Sequence, residues 1–123
     1  MSLRGGDRLF LAPIAHEAAL RFRREFPDEE ERYGDAGFAW CVHDTQYLLA
    51  WALMDAEIGG GHFEKNLRWL TRLLHARAYP TERVARDLEI AADVLEERHP
   101  GARAAVTALR RGAVETRVHA SGA

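Results

Sequence analysis

Apolar residues recur along the chain at spacings of three and four and nowhere in sustained alternation, which predicts helices throughout and no strand. The first helix is expected from about Ala12 to Glu25, with Pro13 at its first position, where a missing N–H costs nothing. Ile14, Ala18, Phe22 and Phe26 form its stripe, and Pro27 ends it. An acidic connector, Asp28–Arg32, then leads into a turn at Tyr33-Gly34-Asp35.

The second helix is expected over Asp35–Glu57, capped by Asp35 and closed by Gly59-Gly60-Gly61. It carries two stripes. One is Phe38, Cys41, Thr45, Leu48 and Ala52; the other is Trp40, Asp44, Tyr47, Trp51 and Met54. Apolar character on two sides predicts a central, largely enclosed helix. A third helix is expected over His62–Arg77, with Phe63, Leu67, Leu70 and Leu74 inward and Pro80 breaking the run. The fourth opens on Thr81 as cap and ends before Pro100, through Val84, Leu88, Ala91 and Leu95. The fifth runs from Ala102 to Thr116 through Val106, Leu109 and Ala113. Residues 1–123 thus read as one all-α domain of about five helices, with loose termini at 1–11 and 117–123.

Composition narrows the function. A hydrophobic fraction of 47% supports a folded core, and no apolar run approaches the roughly 18 residues a membrane span requires. The N-terminal ten residues lack the apolar stretch of a signal peptide, so a cytoplasmic location is expected. A formal charge of −2 argues against nucleic acid as a partner. The single cysteine, Cys41, excludes an intrachain disulfide and a cysteine-based zinc site. No two of the six histidines stand three or four residues apart, so no helical metal pair is expected. With no nucleophile–base or paired-carboxylate constellation, an enzyme is not expected.

Asp44 is the most informative residue. In an enclosed helix its carboxylate needs donors: an Arg from a neighbouring helix, a water-facing edge, or the N–H groups of a ligand. Trp40, Tyr47 and Trp51 surround it at helical spacing, either as core or as flat walls for a conjugated ligand. Cys41, one turn earlier, is either a small core residue or a covalent attachment point. His75, five residues before Pro80, is either a surface residue or an axial heme ligand.

The run Cys41-Val42-His43-Asp44-Thr45-Gln46-Tyr47-Leu48-Leu49 resembles the Cys-x-Arg-Asp-x-x-Tyr-Tyr-Leu helix of phycocyanin and allophycocyanin α-type chains. Phe26-Pro27 upstream, the glycine break downstream and the Thr71–Leu88 passage through Pro80 extend the likeness over about Ile14–His99. The chain is also similar to photoglobin-like non-heme globins of bacterial signalling proteins. The resemblance implies a globin-like fold that binds a linear tetrapyrrole (bilin) as sensor or carrier. It also implies roles: Cys41 bonding the bilin, Asp44 accepting its pyrrole N–H groups, and position 43 meeting a propionate. His43 replaces the family's Arg there, and the family's dimerising N-terminal helices have no counterpart. A ligand-free regulatory or protein-interaction module is the alternative, and a heme globin using His75 the third. A homodimer or a stable signalling partner is expected, with the first or last helix at the contact.

Overall fold

A computed structural model describes the backbone of residues 5–122 and the side chains of residues 11–120. Among the described residues five helices follow one another: α1 (Gly5–Glu25), α2 (Asp28–Ile58), α3 (His62–Ala76), α4 (Thr81–Arg98) and α5 (Arg103–Gly122). Among the described residues there is no strand. Among the described residues no helix is long and apolar enough to cross a membrane.

The stripes read from the sequence build the core. Ile14, Ala18 and Phe22 of α1, Phe63 and Leu67 of α3, Val84, Leu88, Ala91 and Leu95 of α4, and Val106, Leu109 and Ala113 of α5 are all buried. The enclosed helix, however, is α4 rather than α2. Both touch all four other helices. Yet α4 buries Ile90, Ala92 and Val94 as well as its main stripe, while α2 buries one side only. Alanines at 85, 91 and 92 keep α4 slim, so its neighbours can approach on more than one side. Close approach recurs where α3 crosses α5: a Cβ on Gly112 would lie 2.9 Å from both Phe63 and Leu67.

Helix boundaries differ from expectation for local reasons. α1 starts at Gly5, so Pro13 stands inside the helix instead of at its first position. Leu11, 1% exposed, extends the buried stripe one turn earlier. Pro13 is exposed, so water can serve the carbonyl that loses its partner there. Residues 1–4 lie outside the described residues.

The acidic connector is helical. Asp28, Glu29, Glu30 and Glu31 form the first turn of α2, where negative charge complements the helix dipole. The expected turn shrinks to one residue, Gly34, with φ 62° and ψ −158°. Asp35 resumes the helix after it and is not its cap; Pro27 occupies the cap position. Arg23 of α1 donates to the Gly34 carbonyl at 2.8 Å, so the kink is held from outside.

Pro80, not Thr81, precedes α4, and no side chain caps it; Thr81 sits one residue too far in to reach the free N–H groups. At the other end α5 continues to Gly122, past the expected end at Thr116. Arg117 pins it to α4 through Glu82 at 2.8 Å and Glu89 at 2.6 Å.

Candidate binding face and the polar cluster behind it

The second stripe of α2 faces outward. Trp40 is 63% exposed and Tyr47 49%, because nothing among the described residues covers that side. This corrects the expectation of an enclosed aromatic stripe. Periodicity identifies an apolar face but not whether the same chain supplies its cover. The rings form a ladder: Trp40–His43 at 5.4 Å, His43–Tyr47 at 4.8 Å and Tyr47–Trp51 at 5.6 Å between centroids. Trp51 is half-buried and leans on the core.

Asp44 lies at the edge of this ladder with a third of its side chain exposed. Its partner is His43, whose Nδ1 lies 3.3 Å from its Oδ1, and not the Arg that an enclosed aspartate would need. Partial burial pushes its carboxyl above the usual range while His43 pulls it back.

Cys41 joins a different group. Its Sγ lies 3.9 Å from Oδ1 of Asp87 on α4. Burial, and then the Asp87 carboxylate, push the thiol well above its ordinary value. Such a thiol holds little thiolate and is a poor nucleophile. Cys41 and Asp44, one turn apart, therefore serve two separate environments.

Asp87 was not among the expected site residues. Thr45 is buried on the same face as Cys41, and its hydroxyl donates to Oδ2 of Asp87 at 2.9 Å. Burial pushes the Asp87 carboxyl up to about 7; Thr45 opposes this, while Asp44 and Glu29 add to it. A signal for Asp87 exists in the sequence: it stands three residues after Val84 and four before Ala91, within the apolar stripe of α4.

Beside it, Glu29 is 6% exposed at the start of α2. It accepts from the Tyr79 hydroxyl at 3.1 Å and from Nη1 of Arg83 at 2.6 Å. Arg83 also grips Asp28 with both nitrogens, at 2.9 and 3.0 Å, and its guanidinium lies 4.5 Å over the Phe26 ring. Burial, then Glu29, raise the Tyr79 hydroxyl far above its usual value, so it remains a donor. Asp28, Glu29, Tyr79 and Arg83 are thus paired among themselves and bind the first turn of α2 to α4.

A cleft of about 420 Å³ lies toward the other end of α2, lined by Leu53, Glu57, His99 and Ala102 among others. It includes none of Trp40, Cys41, Asp44 or Tyr47. His75 is exposed in the last turn of α3. Among the described residues, no three His, Cys, Asp or Glu side chains come together to hold a metal ion.

No protein-family model, curated protein or solved structure matches the chain.

Proposed function

We propose that the chain is a non-enzymatic protein-interaction module of a regulatory kind, with the outward face of α2 as its recognition surface. One observation carries this reading: the ring ladder from Trp40 to Trp51 stands on the surface of a helix segment with almost no charge. Between Asp35 and Asp55, Asp44 is the one Asp, Glu, Lys or Arg. The rest of the surface is different. Arg21 bridges to Glu97, Arg86 to Glu25, Arg110 to Asp93 and Glu96, and Arg117 to Glu82. Large aromatic side chains bury roughly 150–250 Å² each when covered, so a contiguous set left in water is the mark of a contact surface.

The test is a photocrosslinking group placed at His43, with the same group at Glu64, an exposed position on α3, as control. A discrete adduct at 43 that is absent at 64, and lost when Tyr47→Glu is added, supports the reading. No discrete adduct at 43 overturns it.

Asp44 favours a second reading, a bilin sensor or carrier of the phycobiliprotein-like kind. Its half-buried carboxyl lies beside flat rings and, among the described residues, has His43 as its side-chain partner, so it could accept pyrrole N–H groups. Attachment through Cys41 is disfavoured by its raised thiol, so binding would be reversible. Addition of biliverdin to the purified protein would give a shifted visible band, weakened in Asp44→Asn. An unchanged spectrum rejects this reading.

A further inference from the structure

The outward face of α2 is self-complementary, and we infer that its partner is a second copy of this chain, packed antiparallel along α2. The inference rests on reading that face as the recognition surface, and it adds the identity of the occupant. Trp40, Asp44, Tyr47 and Trp51 follow a four-three-four spacing, the pattern of a helix seam that meets another helix side by side. A two-fold axis passing between Thr45 and Gln46 reverses this series onto itself. Trp40 of one copy then meets Trp51 of the other, and Asp44 meets Tyr47. The polar members of the series form a matched pair, since a phenol O–H donates and a carboxylate accepts. Because the interface is isologous, both contacts are made twice.

The charge pattern favours this occupant over a charged peptide. The face has no Lys or Arg to anchor an acidic segment, and a basic segment would find only Asp44, already beside His43. The same face on a second copy brings what this one lacks: aromatic cover for Trp40, which is 63% exposed, and a hydroxyl for Asp44. Ile58, 71% exposed at the end of α2, then falls against the kinked start of the other copy's α2. From Asp35 to Ile58 the helix offers a seam of about 36 Å, long enough for both pairs of contacts to form.

Sedimentation of the full chain at micromolar concentration is expected to show a dimer. Trp40→Glu and Tyr47→Glu, both at exposed positions, should each weaken association by about tenfold or more while the helical circular-dichroism spectrum is kept. A monomeric wild type, or a dimer indifferent to both substitutions, overturns the inference. In a Cys41→Ser background, Asp44→Cys should crosslink to itself near the axis and Ile58→Cys should not. Self-crosslinking at Ile58→Cys would indicate parallel pairing and reject the arrangement. The photocrosslink at position 43 separates the two levels of the argument. An adduct of twice the chain mass supports the second copy. An adduct with a different protein removes the second copy and leaves the recognition surface. No adduct removes both.

Discussion

The Thr45 hydroxyl donates to the Asp87 carboxyl at 2.9 Å, a polar link between α2 and α4 that also places the Cys41 thiol against the same carboxyl. Because burial raises Asp87 from 3.8 to about 7, the folded chain keeps a proton there that the unfolded chain releases. Between those values the folded state binds more protons, so its stability falls as pH rises from about 4 to 7 and levels off above. The loss over that window is on the order of 4 kcal/mol. Asp87→Asn keeps an acceptor for Thr45 and removes the titration. It is expected to flatten the pH dependence in urea unfolding and to be more stable than wild type at pH 8. A wild type whose stability rises steadily from pH 4 to 8 contradicts this.

Arg83 compensates Glu29, whose side chain is 8% exposed. Removing the cation alone leaves a buried carboxylate without its ion partner. Arg83→Met is expected to cost about 3 kcal/mol, and adding Glu29→Gln should restore much of it. A double-mutant cycle by chemical denaturation measures the coupling; a loss in the double variant equal to the sum of the two single losses would show that the pair is not coupled.

Asp55 closes the glycine turn between α2 and α3. Its Oδ2 accepts from the Phe63 N–H at 2.6 Å, and its Oδ1 lies 2.9 Å from His62 Nδ1. Burial pushes the carboxyl up, but the Phe63 N–H and His62 outweigh it and hold it below its ordinary range. Asp55→Ala should cost about 1 kcal/mol, the usual worth of a helix cap. The contribution is present above the unfolded value of 3.8 and fades as pH falls through the lower folded value. Thermal melts at pH 7 and pH 2 should therefore differ between wild type and variant only at the higher pH.

Gly112 of α5 faces Phe63 and Leu67 with no room for a methyl group. Gly112→Ala gains helix propensity but must displace both side chains, so a net loss of about 1–2 kcal/mol is expected. Unfolding that is unchanged or stabilised would show that α3 can shift away from α5.

The helix count and most of the core were legible in the sequence because each stripe repeats at helical spacing. Val84, Leu88, Ala91 and Leu95 needed no other information. Trp40 and Tyr47 were misplaced for a physical reason: an apolar stripe that packs inside the chain and one that waits for another molecule have the same periodicity. Pro13 obscured the start of α1 because proline marks helix starts more often than it is tolerated within them. Glu29 was missed because its burial depends on a partner far along the chain, Arg83 on α4; the place of Asp87 in the α4 stripe was legible, but its bond to Thr45 of α2 was not. Asp44 and Cys41 stand one turn apart, and that spacing does not reveal that they face different partners, His43 and Asp87.

Glu29 and Trp40 stand eleven residues apart, close to three turns of α-helix. In an unbroken helix they would lie on one side, and an acid and a tryptophan would share the same surroundings. They do not: Glu29 is inside against Tyr79 and Arg83, and Trp40 is outside. The positive φ of Gly34 is what changes the phase between them. One backbone rotation therefore sorts α2 into an inward acidic turn and an outward aromatic rod, and Arg23 latches the setting from α1. A residue that restored helical geometry at position 34 would make the two demands compete. Either the Arg83 clasp would open or the aromatic face would turn away from its partner.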